Sequence, residues 1–209
     1  MTRSNKIMVE SQIKSRGVSD ERVLAAMLAV PRVAFVPPEY RQFAYADCPL
    51  PIPSGQTISQ PYMVAAMSEL LKISADAKVL EVGTGCGYQT AVLAKLAGTV
   101  YTVEILESLA RGARQTLDDL GYANIHFKIG DGWFGWAEHG PFDAIMVTAA
   151  PDEIPSPLLA QLKPGGRMVI PVGPEGGMQY LHLVEKTRDG EIQRHNMMAV
   201  RFVPLTGDH

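Results

Sequence analysis

Glu81, Gly83, Gly85 and Gly87 are spaced two residues apart in the run VLEVGTGCGYQ, where a short apolar segment gives way to a glycine turn that opens a helix. Glycine adopts positive φ without strain and lets a ligand approach where a Cβ would block it, while the helix N-terminus offers free N–H groups and a positive dipole end to an anion. The spacing is G-x-G-x-G, and Tyr88 stands where the dinucleotide pattern G-x-G-x-x-G has its third glycine, which argues against NAD. Glu104 ends the next apolar segment, 23 residues after Glu81, a place from which a carboxylate accepts hydrogen bonds from both hydroxyls of a ribose. Asp131, between Gly130 and Gly132, ends a third segment, where its carboxylate can meet an adenine amine. Thr148, Ala149, Ala150 and Pro151 end a fourth with small side chains that leave room for a second reactant.

These residues need a sheet whose strand ends converge. From Lys78 onward, apolar segments at 79–82, 100–103, 125–129, 144–147 and 167–171 alternate with helical patterns at 89–95, 108–120 and 157–162. That alternation predicts an α/β doubly wound, mostly parallel sheet with helices on both faces. Segments 179–185 and 197–203, separated by the charged stretch 186–194, fit an antiparallel hairpin at the sheet edge. Residues 1–77 lack the alternation and form an N-terminal helical extension: helices at 7–14 and 19–30, the second capped by Ser19 and stopped by Pro31, and a third starting at Pro61. Between them lies an irregular stretch punctuated by Pro37, Pro38, Pro49, Pro51 and Pro53, and a long loop in a compact fold is usually functional. The whole of 1–209 reads as one domain, with the extension and loop at 1–77 and the ligand-binding core and hairpin at 78–209.

The acidic residue ahead of a compact glycine turn resembles the S-adenosylmethionine site of class I methyltransferases, in which the carboxylate lies near the methionine amino group; here that residue is Glu81. The resemblance narrows further over nearly the whole chain. Residues 25–38 (AAMLAVPRVAFVPP), 56–62 (QTISQPY), 80–91 (LEVGTGCGYQTA), 130–133 (GDGW), 141–151 (PFDAIMVTAAP), 162–173 (LKPGGRMVIPVG) and 200–206 (VRFVPLT) are similar to the protein-L-isoaspartate (D-aspartate) O-methyltransferase family. The T-I-S-Q-P piece and the FVPL tail are more specific than the glycine turn. The resemblance implies methyl esterification of the free α-carboxyl of L-isoaspartyl residues, and of the β-carboxyl of D-aspartyl residues, in age-damaged proteins and peptides, which starts repair through a succinimide. It implies Ser59 as the active-site serine. It also implies cofactor contacts from Gln56, Thr57, Ile58, Glu81, Gly83, Gly85, Gly87, Glu104, Asp131, Gly132 and Thr206. A carboxylate nucleophile, with an intrinsic pKa near ~4, needs no general base, and none is evident in these motifs.

Composition narrows the alternatives. With 19 basic and 22 acidic residues, net charge −3 and no basic stripe, general nucleic-acid binding is disfavoured. The five histidines lack paired ligand spacing, so no metal is expected; Cys48 and Cys86 are expected as free thiols. No early apolar run is long enough to span a bilayer, and the chain reads as a cytoplasmic protein, monomeric by default. A nucleic-acid or small-molecule amine methyltransferase would commonly carry Asp/Asn-Pro-Pro-aromatic where this chain has Thr148-Ala149-Ala150-Pro151. A dinucleotide oxidoreductase would need the third glycine, and a silent binding module would keep the cradle without turnover.

Overall fold

The computed structural model describes residues 3–208. Helix α1 (Arg3–Met8) runs on through a π turn (Val9–Ile13) and a 3-10 turn (Lys14–Arg16), so the first helix is longer than the 7–14 span expected. Helix α2 (Glu21–Ala29) buries Val23, Leu24, Ala26 and Met27. Its cap is Asp20 rather than Ser19: the Asp20 carboxylate accepts from the Arg22 and Val23 N–H groups. The Ser19 and Asp20 N–H groups both donate to Glu69 Oε1 at 2.7 Å, which pins the chain one residue further along.

The proline-punctuated stretch is more ordered than expected. It folds into successive 3-10 turns and then a two-residue ladder, β1 (Leu50–Pro51) with β2 (Thr57–Ile58), which presents residues 56–59 as a strap. Helix α3 (Pro61–Leu71) begins with Pro61 in its first turn, where the missing N–H costs nothing.

The rest is a seven-stranded sheet in the order β5-β4-β3-β6-β7-β8-β9. Strands β3 (Lys78–Val82), β4 (Thr99–Glu104), β5 (Ile125–Ile129), β6 (Phe142–Val147) and β7 (Leu162–Val172) are parallel. Helices α4 (Tyr88–Leu96), α5 (Glu107–Asp119) and α6 (Ser156–Gln161) link them. Strands β8 (Gln179–Lys186) and β9 (Ile192–Val200) complete the sheet as an antiparallel pair. β9 starts five residues earlier than the 197–203 segment and takes in part of the charged stretch. As an edge strand exposed on both faces, it carries none of the alternation that sequence reading relies on.

The apolar side chains form two layers. Val79, Val100 and Ala144 face a core shared with α1 to α4, which joins the N-terminal extension to the sheet. Leu80, Val82, Ile145 and Val147 face the α6 side. Strand order reverses at β3, with β4 on one side and β6 on the other, so the carboxyl ends of these three strands open a crevice.

Candidate active site

The crevice at those strand ends is a cleft of about 790 Å³, its open mouth included. Its floor is the turn after β3, where Gly83 and Gly85 have φ of 91° and 55°. A Cβ on Gly83 would overlap the Thr148 hydroxyl, which bonds the Gly83 carbonyl at 2.6 Å and ties the end of β6 to the turn. Glu104, only 6% exposed, ends β4 with its carboxylate at the cleft wall. Its Oε2 accepts from Gly85 N–H at 2.8 Å and Oε1 from Leu106 N–H at 2.9 Å. Each oxygen keeps a lone pair for a ligand hydroxyl. Ile105, Leu106 and Leu109 provide an apolar wall beside it.

The remaining walls come from distant segments. The strap contributes Gln56, Thr57, Ile58 and Ser59. The chain after β9 leaves the sheet and returns to the cleft with Val203, Pro204, Leu205 and Thr206. Backbone bonds between Ala150 and both Val203 and Leu205, each 2.8 Å, hold that return. The buried Gln179 amide clamps it by accepting from Phe202 N–H at 2.7 Å and donating to the Phe202 carbonyl.

Three expected contacts are not brought to the cleft. Glu81 is fully buried, because the strand period that points Val82 towards α6 points Glu81 and Val79 under α4. There Glu81 Oε2 accepts from the Thr90 and Thr102 hydroxyls, each at 2.6 Å, and Oε1 has no partner among the described residues. Burial pushes this carboxyl up to about 8, against the opposing pull of the two hydroxyls. Asp131 instead caps a 3-10 turn, accepting from Trp133 N–H at 2.9 Å, and also bonds Asp208 N–H; its neighbour Gly132 does line the cleft. Gly87 begins α4 with φ 88° and lies against α5, where an added Cβ would stand 3.0 Å from Leu117 Cδ1 and 3.2 Å from Ala113 Cβ. It serves helix packing.

Sequence reasoning passed over the apolar wall at Ile105, Leu106 and Leu109; Val64, which on sequence grounds could line the groove or simply pack its helix, does line the cleft. The signal for the first three was their position directly after Glu104 at a strand end. Among the described residues no histidine, lysine or arginine lines the cleft. Burial raises the Cys86 thiol to about 11, so it is not a ready nucleophile, and Cys48 and Cys86 are both unbridged. Among the described residues no group of three potential metal ligands occurs.

A second, open groove of about 1020 Å³ runs beside the cleft, bordered by Pro49, Met63, Val200, Arg201 and Phe202. The two share Thr57, Ser59, Thr148 and Val203. The Ser59 hydroxyl stands on that common wall, half-buried, and is given no hydrogen-bond partner by the described residues. The cleft and the open groove thus meet along four residues, Thr57, Ser59, Thr148 and Val203.

A family model described as protein-L-isoaspartate(D-aspartate) O-methyltransferase matches residues 3–209. The chain belongs to that family. A protein-L-isoaspartate O-methyltransferase of Opitutus terrae is 54% identical over 205 residues, covering 98% of this chain and 88% of the relative. One from Picosynechococcus is 56% identical over 96% and 89% of the two chains. A solved protein-L-isoaspartate O-methyltransferase superposes with a TM-score of 0.88 at 29% identity, covering 98% of this chain and 66% of that longer one. A Plasmodium falciparum relative solved with S-adenosyl-L-homocysteine gives 0.83 at 27%, covering 97% and 98%. In this chain, then, the mostly parallel sheet with its antiparallel edge is the class I methyltransferase fold.

Proposed function

We propose that this chain methylates the free α-carboxylate of L-isoaspartyl residues in damaged proteins and peptides, with S-adenosylmethionine in the cleft and the damaged segment in the groove. The observation that carries the reading is the wall shared by cleft and groove, with Ser59 on it. The cleft suits the cofactor: the glycine turn, with Gly83 and Gly85 at positive φ, forms its floor, Glu104 offers acceptors for ribose hydroxyls, and Ile105, Leu106 and Leu109 make an apolar wall. S-adenosylmethionine supplies, when bound, a methyl group on a positively charged sulfur. Gln56, Thr57 and Ile58 on one side, and Thr206 on the other, enclose it.

The chain's own part is to hold and orient. Ser59 donates a hydrogen bond that aims a carboxylate oxygen across the shared wall. Arg201, exposed on the groove, attracts acidic peptide. No residue has to remove a proton, because the acceptor is already ionised at neutral pH, and no histidine among the described residues lines the cleft. Acceleration comes from alignment at roughly 3 Å and from excluding water. The methyl ester then cyclises readily to a succinimide, which hydrolyses in part to normal aspartate.

The same reading extends to D-aspartyl acceptors, and treats residues 3–208 as one working unit, supported by the core continuous from α1 to the sheet. It takes a single chain as the active species, since one chain supplies every wall of the cleft. It assigns the enzyme to the cytoplasm, consistent with unbridged thiols. No helix among the described residues is long and apolar enough to cross a membrane.

The deciding experiment gives the protein methyl-labelled S-adenosylmethionine and two peptides differing only in isoaspartate or aspartate, and counts base-labile label. Label on the isoaspartyl peptide alone supports the reading. Label on neither, with cofactor binding intact, overturns it in favour of another acceptor or a silent binding module.

A further inference from the structure

Glu81 is a buried carboxyl that the transfer itself does not use, yet it is wired to the cleft. Its Oε2 accepts from Thr102 Oγ1 at 2.6 Å, and Thr102 Oγ1 lies 2.6 Å from Thr84 Oγ1. Thr84, 4% exposed, is a residue of the cleft wall, in the glycine turn itself. A hydroxyl has one proton to give. When Glu81 is ionised, the Thr102 proton is committed to Glu81, so Thr84 must donate to Thr102. The outer end of the chain is then left with lone pairs only, an acceptor.

When Glu81 carries a proton on Oε2, the chain can run the other way: Glu81 donates to Thr102, Thr102 to Thr84, and Thr84 turns its proton outward. The outer end is then a donor. Protonation on Oε1 would leave an O–H with no partner among the described residues, so the relay is the better outlet for that proton. The surroundings favour the protonated form in the free protein. Burial is complete, Glu104 on β4 adds like charge, Cys86 in the turn is neutral, and the strand partner on β6 is Met146.

We propose that Glu81, acting through Thr102 and Thr84, couples binding of the amino-acid end of the cofactor to release of a proton from the protein. A ligand ammonium at the turn needs an acceptor and brings positive charge. Both favour the carboxylate form of Glu81. The Glu81 proton passes along the two hydroxyls as their bonds reverse and leaves to solvent, so the bound state holds Glu81 as carboxylate and the ligand amine as ammonium. Glu81 is thus a positioning residue: it sets what Thr84 presents without touching the ligand.

This rests on the cofactor reading above, and calorimetry separates the two. S-adenosyl-L-homocysteine is titrated into the protein at pH 7 in buffers of different ionisation enthalpy, which reports protons released per ligand bound. The expected result is release approaching about one proton per site, and none with 5′-methylthioadenosine, which lacks the amino-acid end. Glu81→Gln should abolish the release. Thr84→Val, which removes the outer hydroxyl, should weaken S-adenosyl-L-homocysteine about tenfold, one hydrogen bond's worth, and leave 5′-methylthioadenosine unchanged. Binding without proton release, equal release with both ligands, or full release from Glu81→Gln would overturn the proposal. Should Glu81→Gln not fold, the two-ligand comparison on the wild-type protein still decides. Failure of S-adenosyl-L-homocysteine to bind at all would instead overturn the cofactor reading.

Discussion

Replacing Glu104 by glutamine tests the cofactor wall most directly. Both carboxylate oxygens already take backbone donors, Gly85 N–H at 2.8 Å and Leu106 N–H at 2.9 Å. In Glu104→Gln one of them becomes an NH₂ group facing an N–H donor, so one internal bond is lost and the glycine turn loosens. For the ligand, two hydroxyl bonds to a carboxylate become at best bonds to a neutral amide. Charge assistance roughly doubles a bond of about 1–1.5 kcal/mol, so losing it at both hydroxyls costs about 2–3 kcal/mol. At 1.36 kcal/mol per factor of ten, that is about 30- to 150-fold in Kd. Calorimetric titration with S-adenosyl-L-homocysteine measures it, and an analogue lacking both ribose hydroxyls is the control, which wild type and variant should bind nearly alike. A Kd within threefold of wild type, or an equal loss with the hydroxyl-free analogue, would refute the assignment of Glu104 as ribose acceptor.

Ser59→Ala should lower turnover on an isoaspartyl peptide by about 10- to 150-fold, the worth of one charge-assisted bond of about 1.5–3 kcal/mol, with S-adenosyl-L-homocysteine affinity little changed; wild-type turnover would remove Ser59 from the mechanism. Gly87→Ala forces a side chain into φ 88° and against Leu117, and urea denaturation should show a loss of about 1–3 kcal/mol. An unchanged midpoint would refute the packing role. Glu81 binds its proton more tightly folded than unfolded, so its contribution to stability is full below about pH 4.5 and is lost as pH rises towards about 8. Urea midpoints of wild type should therefore fall between pH 5 and pH 8 more steeply than those of Glu81→Gln; parallel profiles would contradict this. Arg32 is fully buried, donates through Nε to the Ala44 carbonyl, and lies with its guanidinium 4.8 Å from the Tyr88 ring centre, with no carboxylate partner among the described residues. Arg32→Met should leave stability within about 1 kcal/mol, because a buried charge without a counterion contributes little net stability; a loss above about 3 kcal/mol would show that the cation is needed.

Local chemistry made most of the sheet legible. Glycine spacing located the turn after β3, and Pro61 located the start of α3, because each acts through its own backbone. The direction of Glu81 was also present in the sequence, since period-two alternation from Val79 places it opposite Leu80 and Val82, but the resemblance to other methyltransferases pointed to the ligand instead. Asp131 followed the same course: two residues before Trp133 it is placed to cap a turn, a local bond that competes with any ligand contact. Gly87 could not be read from its neighbours, because the side chains that demand a glycine there belong to α5. The strap at 56–59 and the return at 203–206 both line the cleft, the return held by long-range contacts such as Gln179 with Phe202; no local pattern encodes those contacts, and only the family resemblance pointed to both segments. β9 was misplaced because an edge strand wetted on both faces has no buried side to alternate.

The return of residues 203–206 to the cleft also has a bearing on how the molecule is born. The glycine turn emerges from the ribosome well before the last wall, and the bonds that seat that wall on Ala150 join residues more than fifty positions apart. A nascent chain stalled anywhere short of that return carries a cradle but no enclosure. A ligand that needs the closed cleft stabilises only the finished fold, by mass action on the state that binds it. Cofactor supply should therefore do little for an unfinished chain during synthesis, and protect the completed molecule from unfolding afterwards.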